Sequence, residues 1–187
     1  MFQIHPTNRL AMLDDILSGH DRTPGEHRRF VPLNEFLRGD HETTCEQGCY
    51  RCLLRYRNQP YHGLLDWRLG LSFLDALANA NSACGLDGDF GAPALREWGA
   101  LVERDVWRLE RQFTRMQSKQ VGSLWAVRFD GSPKWALIAH PLWDAAGPTG
   151  LLLDSANALG SDPFVIVDSF NLARRPVTIR RAILEGA

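Results

Sequence analysis

Cys45, Cys49 and Cys52 lie within eight residues, in the stretch CEQGCYRC. Thiols this close pair poorly with one another as disulfides, and the distant Cys84 is the only further cysteine, so a reduced compartment and a shared metal fit the spacing better. Soft thiolates suit zinc, whose structural sites close a tetrahedron with four sulfur or nitrogen ligands. The cluster supplies three, which leaves a fourth to be found. A structural site explains the spacing better than a catalytic one, since catalytic zinc keeps an open position and needs an acid or base aimed at it. Glu42 and Glu46 are close in sequence, but the HxE…PCxxC arrangement of zinc deaminases is absent.

Downstream, the chain reads CEQGCYRCLLRYRNQPYHGLLDW. Cys49-x2-Cys52 followed by Leu53, Tyr56, Asn58, Gln59, His62, Leu65 and Asp66 resembles the MrfA-type zinc-binding domain, a module at the C-terminal ends of bacterial superfamily 2 helicases and in DISARM-like antiphage defence proteins. The resemblance covers roughly residues 40–78, and the closing DSFNLARRPVTIRRAIL is more faintly similar to tails in the same group. Two departures stand out. Family members commonly carry a fourth cysteine beside the other three, and they usually follow a long helicase, whereas no GxxxxGK[ST] loop occurs here. For the fourth ligand the first choice is His62, which lies in the motif ten residues beyond Cys52. Cys84 is the second and His41, four residues before Cys45, the third.

Other residues carry weaker signals. His140, in IAHPLWD, has Asp144, Asp154 and Asp168 in the same half of the chain, the raw material for a metal-dependent nuclease or hydrolase. Neither lysine, Lys119 nor Lys134, sits in the (D/E)xK setting of a restriction-type nuclease, and no GxSxG elbow occurs. Tyr50, Tyr56 and Tyr61 alternate with Arg51, Arg55 and Arg57, the pattern of a surface that stacks on bases and grips phosphates. Arg174 and Arg175, before a proline, offer a second basic pair suited to phosphate or to a partner's carboxylates. The six tryptophans mostly occupy apolar positions of expected helices and strands, where core packing is the stronger expectation.

The elements that must position these residues define an α+β chain. Apolar spacing predicts a helix over Asn8 to Leu17, a loop with a small helical turn at Phe36 and Leu37, and a packed helix after Pro60. A second, long helix is expected from about Pro93 to Gln117, and SLWAVRF, KWALIAHPLW and PFVIVDSF read as strands, the first two as a hairpin. VTIRRAIL suggests one more strand. The expected organisation is a helical zinc-binding module over 1–80, a linker over 81–94, and over 95–187 a long helix with a small antiparallel β-rich half.

A formal charge of -1 gives no global reason to bind nucleic acid, so any contact must be local. No apolar run spans a bilayer and the N-terminal residues lack a signal-peptide pattern, so the expected location is the cytoplasm. Together with the resemblance, these features imply a noncatalytic, zinc-stabilised accessory module that docks a helicase in a DNA-processing or antiphage assembly. It would contact single- or double-stranded DNA and lack ATPase activity of its own.

Overall fold

The computed structural model of the chain describes residues 40–185. The expected helix over Asn8 to Leu17 and the turn at Phe36 and Leu37 lie outside the described residues. The chain divides into two compact units, residues 1–82 and 83–187.

In the first unit a single helical turn, α1 (His41–Thr44), leads into the cysteine-bearing loop. A 3-10 helix (Tyr56–Leu64) and then α2 (Trp67–Ala78) follow. The Asp66 carboxylate starts α2 by accepting the Leu69 N–H at 3.0 Å, which satisfies one of the donors a helix leaves unpaired at its N-terminus. Trp67 and Leu71, four residues apart, point inward, whereas Phe73 and Leu77 are exposed. The apolar stripe of α2 is therefore only partly covered within the described residues.

The second unit is a sheet between two helical layers. After α3 (Trp98–Gln112), strands β1 (Gln117–Val121), β2 (Leu124–Arg128) and β3 (Trp135–Ala139) form an antiparallel meander. Helix α4 (Gly150–Ala158) then carries the chain to β4 (Phe164–Asp168), which lies parallel to β3, so the sheet is mixed rather than antiparallel. A parallel neighbour cannot be reached by a tight turn, and α4 provides the necessary crossover. Two short helices, α5 (Ser169–Arg174) and α6 (Pro176–Glu185), close the described chain.

Side chains alternate between sheet faces with a period of two. Leu124, Ala126, Trp135, Leu137 and Ala139 join Leu152 and Ala156 of α4 in one core cluster. Val127, Phe129, Ala136 and Ile138 join Val102, Val106 and Leu109 of α3, Leu172 of α5 and Ile183 of α6 in the other. With helices on both sides, every residue of β3 is buried. VTIRRAIL is helical, not a strand: Pro176 occupies the first helical position, where its missing N–H costs nothing, and Ile179 and Ile183 meet the core at helical spacing.

The segment read as a linker takes part in this unit. Cys84 is buried, Leu86 and Phe90 pack against the first core cluster, and the Cys84 carbonyl accepts the Trp143 indole N–H at 2.9 Å. The Leu151 N–H donates to the Leu86 carbonyl at 2.9 Å. That approach requires a glycine at 150, where φ is +46° and a Cβ would stand 2.5 Å from the Leu86 oxygen. Replacing Gly150 by Val should destabilise the second unit by about 2 kcal/mol or more, from left-handed strain plus the backbone collision. Denaturant unfolding followed by tryptophan fluorescence reads the loss, and an unchanged midpoint would contradict it.

Candidate metal centre

The knuckle is built by short-range hydrogen bonds to its backbone. The Asp40 carbonyl accepts the hydroxyls of Thr43 at 3.0 Å and Thr44 at 2.7 Å, and the Cys45 N–H returns to the His41 carbonyl at 2.8 Å. This winds one turn of helix, and a spacing of four residues places His41 and Cys45 on the same face. The Cys49 carbonyl then accepts the N–H groups of Cys52 and Leu54, both at 3.0 Å, closing the loop between the last two cysteines. The Cys49 N–H donates to the Cys52 Sγ at 3.2 Å.

Trp67 fastens this loop to α2. Its indole N–H donates to the Cys45 carbonyl at 2.8 Å, its backbone N–H donates to the Gln47 carbonyl at 2.8 Å, and its ring lies 5.9 Å from the His41 imidazole. Arg68 sits over the Trp67 ring at 4.3 Å and donates to the Glu42 carbonyl.

His41, Cys45, Cys49 and Cys52 are thereby gathered so that their ligand atoms all lie within 4.8 Å of one another, with His41, Cys45 and Cys52 buried. The Cys45 and Cys52 sulfurs are 3.7 Å apart, those of Cys49 and Cys52 3.8 Å, and the Cys49 sulfur is 3.5 Å from His41 Nε2. A tetrahedral zinc with Zn–S of about 2.3 Å and Zn–N of about 2.0 Å calls for S···S edges of about 3.8 Å and S···N edges of about 3.5 Å. The donor set and these three separations fit that group. Burial, then its cysteine neighbours, push the Cys45 thiol well above its ordinary range. At Cys49 burial acts in the same direction, but the Arg51 backbone N–H and the hydrogen bonds from His41, Cys45 and Cys52 outweigh it and bring the thiol down to about 7. A divalent cation among the sulfurs would relieve this conflict by stabilising the thiolate form of its ligands.

The fourth position of the cluster is thus filled by His41, not by His62 or Cys84. His62 Nε2 lies 3.0 Å from the Arg55 carbonyl and 2.9 Å from Asn58 Oδ1. Asn58 Oδ1 also accepts the Arg55 N–H at 2.7 Å while its amide donates to the Leu53 carbonyl at 2.9 Å, so Nε2 faces two acceptors and must carry the proton. The asparagine and histidine of the NQPYH segment therefore brace the 3-10 helix. Cys84 belongs to the core of the second unit. The signal that favours His41, a four-residue spacing to Cys45 across a helical turn, is visible in the sequence only once that turn is recognised.

The basic candidates fall in different units. Arg51 pairs with Asp40 at 3.1 Å in solvent, Arg55 folds back on the carbonyls of Tyr50 and Leu54 at 2.9 Å each, and Arg57 and Tyr56 are exposed. Arg174 lies over the Phe170 ring at 3.7 Å, and Arg175 is exposed.

His140 follows β3 in the core of the second unit. It is 4% exposed, its Nδ1 accepts the Leu142 N–H at 3.3 Å, and Trp98 and Trp143 flank it at 5.7 and 6.0 Å. Burial lowers its pKa to about 4, so the ring is neutral at pH 7. The nearby carboxylates serve local structure: Asp144 accepts the Ala146 N–H and Asp168 caps α5 through Asn171. Lys119 pairs with Asp162 at 3.0 Å and covers Trp135. Among the described residues, the His41 cluster is the group that brings three or more His, Cys, Asp or Glu ligand atoms together.

No family model, curated protein or solved structure matches this chain.

Two predictions follow from the geometry. His41→Ala should weaken zinc binding by more than about 100-fold, beyond the loss typical of an outer-shell partner, whereas His62→Ala should retain one zinc per chain. Competition with a chromophoric chelator measures both, and the reverse ranking would contradict the assignment. His140 binds a proton more readily unfolded than folded, so its contribution is complete above about pH 6.5 and is lost as pH falls toward 4. The second unit should lose about 3 kcal/mol over that window. Replacing His140 with Gln should flatten this part of the pH–stability curve, and an unchanged slope would contradict the prediction.

Proposed function

We propose that the chain is a noncatalytic accessory module whose first unit is held folded by one structural zinc ion bound by His41, Cys45, Cys49 and Cys52. The observation that carries this reading is the set of four nitrogen and sulfur donors within 4.8 Å of one another. Four such ligands complete a tetrahedron and leave no open position for a substrate or an activated water. When bound, zinc would supply a cross-link between α1 and the cysteine loop that the small core cannot. Among the described residues of the first unit, the buried apolar side chains other than cysteine are Trp67 and Leu71.

The resemblance of residues 40–78 to the MrfA-type domain gives the module its setting. Its partner is a helicase or helicase-like subunit that supplies the ATPase motifs this chain lacks, within a bacterial DNA-processing or antiphage assembly. The knuckle acts as a rigid docking element on that partner and brings its basic rim, Arg51, Arg55 and Arg57, near the DNA being processed. No helix among the described residues is long and apolar enough to cross a membrane.

Because the metal's binding energy is folding energy where no site is preformed, chelation should unfold the first unit while the sheet of the second persists. Hydrogen exchange with and without chelator reads this directly: protection should vanish over residues 41–78 and remain over β2, β3 and β4. Equal protection in both samples would remove the structural metal from the account. Co-purification with a helicase encoded in a neighbouring reading frame, lost in Cys49→Ser, tests the docking role. Undiminished co-purification of that variant would place the docking surface elsewhere.

A further inference from the structure

All three tyrosines of the chain, Tyr50, Tyr56 and Tyr61, fall within twelve residues, and they are 65%, 82% and 60% exposed. The tryptophans differ: Trp67, Trp135 and Trp143 are buried, and Trp107 is the one with a largely exposed ring. Tyrosine rings left in water at such density form a contact surface rather than a core. Their surroundings say what kind. From Gln47 to Leu65 the chain contains Arg51, Arg55, Arg57 and His62 and no aspartate or glutamate, in a protein whose formal charge is -1. Arg57 is exposed and makes no hydrogen bond or ion pair with a described residue.

The surface is also fixed in shape. Arg55 holds the Tyr50 carbonyl at 2.9 Å, and His62, next to Tyr61, meets the edge of the Tyr50 ring at 5.8 Å. The Asn58–His62–Arg55 bonds lock the 3-10 helix that carries Tyr56 and Tyr61. These bonds hold the backbone that carries the rings, so binding has mainly side-chain freedom left to restrict.

We infer that the segment from Tyr50 to Tyr61 of the first unit binds an unpaired nucleic-acid strand, with tyrosine rings stacking on bases and Arg51, Arg55 and Arg57 contacting phosphates. Stacking requires bases freed from a duplex. Three arginines, one of them already paired with Asp40, are too few to hold a duplex by its phosphates alone. A protein partner would favour aromatic and arginine anchors around an apolar centre, whereas here like-charged guanidinium groups alternate with the rings. The inference rests on the proposed function in that the bound metal fixes the loop carrying Tyr50, and it names the nucleic-acid form that such a module would meet beside a helicase.

Fluorescence anisotropy of the full, zinc-loaded chain with a labelled oligothymidine of about twenty nucleotides, at about 50 mM salt, tests it. The single strand should bind at least tenfold more tightly than the corresponding duplex. The double variant Tyr56→Ala, Tyr61→Ala should lose about tenfold or more, and the Phe counterparts, which keep the rings, should restore binding. Arg57→Ala should reduce the slope of log affinity against log salt by about 0.7, and Arg180→Ala in α6 should leave it unchanged. No binding at low salt, equal or tighter binding of duplex, or full affinity in the double Ala variant overturns the inference. Zinc content measured on the same samples separates the two claims. Strand binding absent from a chain with one zinc overturns this inference alone, whereas a chain that folds and binds the strand without zinc overturns the metal-held module.

Discussion

Four donor atoms brought together from twelve residues of sequence impose the constraint on which the first unit depends. Three sulfurs and an imidazole at these separations repel when the sulfurs are charged and bury poorly satisfied thiols when they are not. The opposed behaviour of Cys45 and Cys49, one thiol pushed up by burial and the other drawn down by hydrogen bonds, expresses that conflict. A divalent cation would remove it, and in doing so would tie α1 to the cysteine loop. Trp67 transmits the order outward, since its two N–H groups hold the carbonyls of Cys45 and Gln47 against α2.

The second unit solves its own problem by different means. Its sheet is covered on both faces, its central strand is fully buried, and its one imidazole deep in the core remains neutral between tryptophans. The two halves of the chain thus differ in what holds them: apolar burial dominates in the second, and a ligand cluster stands in for a sizeable core in the described part of the first. The same division separates the candidate functional groups, with the exposed tyrosines and their arginines on the first unit and the Arg174–Arg175 pair on the second.

Much of this arrangement is legible in the sequence, and the exceptions have physical causes. The three cysteines, helices α2 and α3 and strands β2, β3 and β4 follow from spacing and apolar periodicity. Strand β1 is hard to read because its centre is Ser118, Lys119 and Gln120, a polar edge that looks like the end of the preceding helix. The β-branched run Val177, Thr178, Ile179 imitates a strand, but Pro176 and the inward spacing of Ile179 and Ile183 prevail. The parallel pairing of β4 depends on α4, whose short apolar run has no distinctive periodicity. His62 stands in the more conspicuous motif, yet proximity in sequence does not reveal that Arg55 and Asn58 already occupy its Nε2. His41 reaches the cluster because one turn of helix carries it there.

Zinc-edge X-ray absorption of the purified chain tests the central claim most directly. The account predicts one zinc per chain, surrounded by three sulfurs at about 2.3 Å and one nitrogen at about 2.0 Å. A shell of oxygen and nitrogen alone, a shell with fewer than three sulfurs, or a folded chain without metal would contradict it.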